Sequence, residues 1–309
     1  MAGVLTAFPT LLASTRSAYL KGVMLDEMRK AVHSWQRFYN QSNMDGQWEV
    51  YTRLAGMGML QEIPVEIPDQ WPQDDPIQSY SKTYTVSWYG LGTTLSKKFM
   101  KYDRDGLQGY MKGRGLIRSA HNHQEYYAAS VFNNLTSTAT AYVLPDAKAV
   151  GATNHPLIDN LLGGLTTYSN YSNASPDHDT LVAALLAMQL TPDERGIPIV
   201  VTPKHIFCHP SLVATFKELI GSDLRSDTSE NATNTLKNVI TVEPWRWLTA
   251  GTGVWGIQAT EHEVNWKWGQ GVEIEVWRDP SNKSVHADVD QMFGFGVGDW
   301  RGLHVGNEA

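Results

Sequence analysis

The chain has 309 residues, of which 18% are charged, with a formal net charge of -7, 11 tryptophans and one cysteine. That length supports one large core or two regions, and the acidic balance argues against nucleic acid as the main ligand. No apolar run reaches membrane-spanning length and no signal-like segment follows Met1, which points to a soluble protein made in the cytoplasm. Cys208, in the setting HIFC, cannot form an internal disulfide and reads as a buried thiol. Low charge together with many Trp and Tyr suits a protein that hides surface against other copies of itself.

Residues 1–45 open with a small apolar stretch and continue as an amphipathic arm. Leu20, Val23, Met24, Met28, Val32 and Trp35 form one stripe that needs a protein surface to lie on. Residues 46–100 read as a long β-hairpin. Its second limb alternates Tyr80, Lys82, Tyr84, Val86 and Trp88 against Ser81, Thr83, Thr85, Ser87 and Tyr89. PDQWPQDDP between the limbs, with three prolines and three acids, predicts an exposed tip. A hairpin of this length is not stable alone and must lie on the body or on a neighbouring copy.

Residues 103–136 read as one long helix. Its apolar positions are Leu107, Tyr110, Met111, Leu116, Ile117, Tyr127, Ala128, Val131, Phe132 and Leu135, with Asp103 or Asp105 as cap. Thirty helical residues span roughly 45 Å, and four glycines weaken the first half by roughly 1 kcal/mol each relative to Ala. Charge is uneven around this stretch. Between Asp45 and Ser79 lie seven acidic residues and one basic one. Between Tyr80 and Ala120, Lys82, Lys97, Lys98, Lys101, Arg104, Lys112, Arg114 and Arg118 face only Asp103 and Asp105. Adjacent segments of opposite sign can pair between subunits or face different sides of a layer.

From residue 150 the pattern is mixed α/β. Ser175-Pro176-Asp177 starts a helix with Leu181, Val182, Leu185, Leu186 and Met188 on its apolar face. Short strands at Ile197–Val201 and Ile206–Cys208 follow, then a helix entered at Pro210-Ser211, a polar loop, and strands to the C-terminus around a PSNK turn.

The chemistry-bearing motifs are few. GxSxG, the P-loop, HExxH and EF-hand patterns are absent from the sequence. GTGVWG at 251–256 matches GxGxxG but opens into a strand-like run, so it reads as a loop between strands. His121 and His123 project in different directions from a helix and read as a solvated pair, not metal ligands. Glu261-His262-Glu263 reads as an exposed β edge. His155, His205 and His209 have no nucleophile to serve and read as structural. Trp245, Trp247, Trp255, Trp266, Trp268, Trp277 and Trp300 could offer sugar-stacking platforms, with core and interface filling the favoured role. Glu273 and Glu275 share a strand face without a cleft. No catalytic, cofactor-binding or metal site emerges.

The order of parts is long hairpin, long helix, Thr153-Asn154-His155-Pro156, a helix near Ser175, Gly196-Ile197-Pro198-Ile199, Pro203, a helix ending Glu218-Leu219-Ile220, an Asn231/Asn234 loop, Val239–Val242, and Trp247 before Trp255. In this order the chain resembles the major capsid proteins of tailed bacteriophages with the HK97-type fold, particularly the branch like the major head subunit of phage Mu. The resemblance implies an α+β capsid fold in five parts. These are an N-terminal arm (1–45), an extended loop (46–100), a peripheral domain with spine helix (101–149), an axial domain (150–255) and C-terminal strands returning to the peripheral domain (256–309). It implies a non-catalytic shell protein of the virion. Its partners would be itself in pentamers and hexamers, scaffold, portal and decoration proteins, and double-stranded DNA held nonspecifically inside, with no membrane.

On this reading Lys97, Lys98 and Lys101 are candidate inner-surface DNA contacts, and Trp35, Trp71, Tyr84 and Trp88 are interface candidates. The arm begins close to Met1, so a separate scaffold protein is expected rather than a long proteolysed segment. With Lys82 on one hairpin limb and no lysine near its tip, cross-linking through it is not expected. Alternatives are an encapsulin-like shell, a phage tail or baseplate protein, and, from a different class, a β-rich carbohydrate-binding or -hydrolysing protein.

Overall fold

The computed structural model describes residues 18–61, 71–102, 107–159, 161, 166–224, 233–237, 239–249 and 254–307. Two sheets carry the chain. The first is four-stranded, in the order β1-β11-β12-β4, from β1 (Asn40–Asn43), β4 (Ser87–Leu95), β11 (Val264–Arg278) and β12 (Val285–Val297). β1 runs parallel to β11, and β12 is antiparallel to both β11 and β4. β11 alternates along most of its length and turns back at residues 279–284. There Lys283 takes a positive φ and Asp279 accepts from Ser281 N–H at 2.8 Å, the turn that PSNK predicts.

The second sheet is five-stranded, in the order β7-β13-β10-β8-β9. Its strands are β7 (Tyr171–Ser172), β8 (Pro203–Cys208), β9 (Thr241–Pro244), β10 (Val254–Ala259) and β13 (Leu303–Asn307). The expected boundary at 255/256 therefore falls inside β10. Of the C-terminal strands only β11 and β12 belong to the first sheet, because β13 pairs with β10 from Val254↔Asn307 to Gln258↔Leu303. A two-residue pair, β5 (His155–Pro156) with β6 (Thr167–Tyr168), flanks this half.

Helix α3 (Leu107–Asn133) lies on the first sheet, as the expected spine. Residues 103–106, where the predicted caps stand, are outside the described residues. Leu116, Ile117, Ala120, Ala128, Val131 and Phe132 are buried along α3, whereas Tyr110 and Met111 are exposed. A helix with three glycines needs support, and helix α1 (residues 18–30) provides it. Leu20 and Met24 of α1 pack where Gly113 leaves room; a Cβ there would come within 2.9 Å of Leu20 Cδ1. The arm's partner is thus within its own chain. Val32, assigned to the same stripe, is exposed, and Trp35 leaves it for the core.

One apolar core joins the sheets: Trp35, Phe38, Phe132, Phe207, Trp245, Trp266, Phe293 and Val305 all belong to it. Phe38 stacks on Trp245 at 4.8 Å, and Trp266 on Phe293 at 4.4 Å. A second core lies under α4 (His178–Gln189) and α5 (Val213–Gly221) against β8 and β10. Asp177 caps α4 by accepting from Thr180 N–H at 2.6 Å, as the start signal predicts. Leu181, Leu185 and Met188 face inward, while Val182 and Leu186 are exposed.

Candidate assembly surfaces

The hairpin is shorter than its pattern suggests. β2 (Trp48–Leu54) pairs with β3 (Gln78–Thr85) from Trp48↔Thr85 to Leu54↔Gln78. The alternation then breaks at Val86, whose N–H bonds Gln47 O at 3.1 Å, and β4 continues into the first sheet. Residues 62–70, which include the first three residues of the predicted tip (68–76), are outside the described residues.

Its inner face is anchored. Tyr84 is buried and its hydroxyl accepts from Asn265 at 3.1 Å, while Tyr51 donates to Glu263 at 3.0 Å. Burial, then the Glu263 charge, pushes the Tyr51 phenol up to about 12. Lys267 lies over the Tyr84 ring and pairs with Glu49 at 3.1 Å.

A largely buried charge quartet holds the loop-side end of the β2–β3 ladder. Arg53 of β2 pairs with Asp299 and, at 3.4 Å, with Glu194. Arg301 pairs with Glu194 at 3.0 Å and Asp299 at 3.1 Å, and its Nε donates to Pro192 O at 2.7 Å. Arg301 also covers the Trp300 ring, which stacks on His155 at 4.6 Å. Two cations and two carboxylates balance in charge. A balanced buried set is weak evidence for stability, but removing one member leaves a costly unpaired charge.

Glu194 reaches this point because Asp193–Ile197 is a tight turn. The Asp193 side chain accepts from Arg195 and Ile197 N–H, and Gly196 takes φ 79°, which a side chain would disfavour. The next residue of that turn, Arg195, turns the other way and bonds Asp74 at 2.7 Å and Asp75 O at 2.5 Å. Gly58 N–H also bonds Asp74 at 2.5 Å, and these donors, Gly58 first, hold the Asp74 carboxyl below its usual range. One turn thus clamps the hairpin at the loop-side end of its ladder, through Arg53, and beyond it, through Asp74 and Asp75.

The outer surface is different. Trp48, Leu54, Met57, Met59, Leu60 and Trp71 are all exposed, Leu60 fully and Trp71 at 72%. Trp88 and Leu91 on β4 are exposed as well. Of the interface candidates, Trp71 and Trp88 are available at the surface. Trp35 (0% exposed) and Tyr84 (1%) are not, because they fill the chain's own interior.

Charge settles within the chain too. Glu49 and Asp74 of the acidic stretch pair with Lys267 and Arg195, not with the basic stretch after it. Of that stretch, Arg114 and Arg118 bond Glu27, Lys112 bonds Thr94 O and Lys82 bonds Val143 O. Lys97 and Lys98, on helix α2 (Lys97–Tyr102), are exposed; Lys101 lies on the same helix.

The histidines are structural in varied ways. His155 sits between Asp146 (2.7 Å) and Asn170 (3.1 Å), and His205 bonds Gln258 at 2.8 Å. His209 caps the short helical turn Pro210–Leu212. His121 and His123 are half-buried rather than a free solvated pair: His121 packs on His33 at 4.5 Å, and His123 on Tyr89 and Tyr127. His262 is buried instead of standing on an open edge. Cys208 is buried and its thiol is pushed up to about 12.

Trp245, Trp255, Trp266 and Trp300 are core, which removes the sugar-platform reading for them. In the described part of the GxGxxG match, 254–256 lie in β10. No group of three metal-capable side chains occurs among the described residues, and no described helix is long and apolar enough to cross a membrane.

A clamped, apolar hairpin, a spine helix on a four-stranded sheet and a second α/β half define the HK97-type capsid fold. Solved structures agree. A chain from Microbacterium phage Oxtober96 superposes with TM-score 0.56 at 12% identity, covering 90% of this chain and 91% of that one. One from Mycobacterium phage Patience gives 0.56 at 12%, covering 96% and 88%. The mature capsid of bacteriophage PhiM1 gives 0.54 at 10%, covering 88% and 85%. Residues 79–306 match the phage capsid protein family, and the chain belongs to it. It is a phage major capsid protein that forms the head shell, a structural component of the virion and not an enzyme. No curated protein matches it in sequence.

Proposed function

We propose that copies of this chain form the pentamers and hexamers of an icosahedral head around double-stranded DNA, and that the hairpin lies over a neighbouring copy. The exposed apolar outer surface of the hairpin carries this reading. Six large apolar residues stand in solvent on an element whose ladder is pinned at its loop-side end by a largely buried charge quartet. Contiguous exposed apolar surface on a well-anchored element marks a protein contact, and closed symmetric repetition gives every copy such a partner.

In this reading residues 1–45 act as the arm, α3 as the spine of a peripheral domain, and the five-stranded half as the axial domain. Trp71 and Trp88 serve the contacts, and Lys97, Lys98 and Lys101 meet phosphates nonspecifically inside. Scaffold, portal and decoration proteins are further partners. The order Thr153-Asn154-His155-Pro156 then Gly196-Ile197-Pro198-Ile199 supports the Mu-like branch.

Negative-stain electron microscopy with sedimentation velocity tests the assembly. Closed shells, or the pentamers and hexamers that feed them, are expected. A monomer that binds oligosaccharide would sink it. For the lysines, alanine replacement of all three should reduce packaged DNA; unchanged packaging would count against that assignment.

A further inference from the structure

Where α1 ends beside α3, the chain forms a half-open cleft of about 150 Å³. Lys30 at the end of α1, His33 in the segment after it, Arg118 and His121 on α3, and Arg246 after β9 line it. Glu27 and Glu125 line it too, but both are occupied. Glu27 accepts from Arg114 at 2.9 Å and Arg118 at 2.7 Å. Glu125 accepts from Ser34 N–H at 2.5 Å, Trp35 N–H at 3.4 Å and Trp245 Nε1 at 2.8 Å. Lys30 pairs only with the exposed Asp26, and Arg246 is exposed.

The two imidazoles are the unusual feature. Their centroids are 4.5 Å apart. His33 Nδ1 and both ring nitrogens of His121 are buried without a hydrogen-bond partner among the described residues. A buried polar atom left unpaired costs about 1–3 kcal/mol, so three in one place ask for a polar occupant. A metal ion does not fit, since no three donors converge among the described residues and three cationic side chains stand around the space.

We propose that this cleft binds a phosphate group, with Arg246 and Lys30 drawing it in and the rings of His33 and His121, whose unpaired nitrogens are closed to solvent in the empty cleft, turning to donate N–H to its oxygens. Three cations against two engaged carboxylates leave the lining positive even with both imidazoles neutral. Neutral is their state when the cleft holds no anion. Burial lowers both, and His121, with His33 beside it, falls to about 4. A bound anion favours the imidazolium form, so phosphate binding takes up protons near neutral pH. The phosphate can come from a nucleic-acid backbone or from free inorganic phosphate. The site itself does not rest on the DNA reading above.

Isothermal titration calorimetry of the full-length protein with inorganic phosphate, in two buffers of different ionisation enthalpy at pH 6.5, tests it. One saturable site per subunit with net proton uptake is expected. Arg246→Ala, on an exposed side chain, should weaken it about tenfold, and His33→Gln with His121→Gln should abolish the proton uptake. No saturable binding, or binding that Arg246→Ala leaves unchanged, would overturn the proposal. A short DNA duplex run in parallel separates the sources. Duplex binding with the same dependence on Arg246 assigns the backbone; phosphate binding without it assigns the free ion and leaves the site standing.

Discussion

The arm and the hairpin present the same problem in sequence and solve it differently. Each carries more apolar surface than it can bury itself. The arm finds its partner inside the chain, where Leu20 and Met24 close onto α3 at Gly113 and Trp35 enters the central core. The hairpin fixes only its inner face and the loop-side end of its ladder, through Tyr84, Tyr51 and the Arg53 quartet, and leaves Leu60 and Trp71 in solvent. An amphipathic pattern therefore says that a partner is needed; where the polar anchors lie says whether that partner is in the same chain.

The largest effect should come from the charge quartet that holds the hairpin. Arg301→Ala leaves Glu194 and Asp299 facing Arg53 alone, and should cost about 3–5 kcal/mol in urea denaturation. A cost under about 1 kcal/mol would mean that the quartet is solvated rather than buried.

Acid comes next. Burial lowers His262 and His304 to about 4. The native state thus holds fewer protons than the unfolded chain below pH 6.5, the ordinary histidine value. Their stabilising contribution is complete above that pH, is lost as pH falls towards 4, and changes no further below. Each should contribute on the order of 1–3 kcal/mol. Thermal denaturation from pH 7.5 to 4 should show a falling midpoint, and His304→Gln should flatten the slope.

The arm offers a smaller test. Gly113→Leu should push α1 off α3 at a cost of about 1–3 kcal/mol, seen as proteolysis within residues 18–30. Gly115→Ala, where added atoms meet nothing within 4 Å, should instead stabilise α3 by up to about 1 kcal/mol. The smallest change in subunit stability should follow Leu60→Ser, within about 0.5 kcal/mol, because that side chain touches solvent.

The periodic elements were legible from the sequence because their causes are local. The α3 stripe, the Asp177 start of α4, the PSNK turn and the buried Cys208 all follow from neighbouring residues. The clamp was not. Arg53, Glu194, Asp299 and Arg301 are far apart in the chain, and no spacing links them; only the Asp-Glu-Arg-Gly turn at 193–196 hinted that Glu194 and Arg195 would be held in fixed positions. Trp35 and Tyr84 looked like contact residues because a large aromatic in an alternating or helical pattern reads the same whether it faces a neighbour or its own core. His121 and His123 looked solvated because the helix wheel does not show that α1's following segment and β4 cover them. The boundary at 255 missed β13 because strand pairing across the C-terminal half is non-local.

The most direct test is electron microscopy of the native chain beside a Leu60→Ser, Trp71→Ser double variant whose subunit melting temperature is unchanged. Shells from the native chain and only dispersed subunits or small rings from the variant are the predicted result. Equally abundant closed shells from both would contradict the account, because the hairpin's apolar outer surface would then not be what joins one copy to the next.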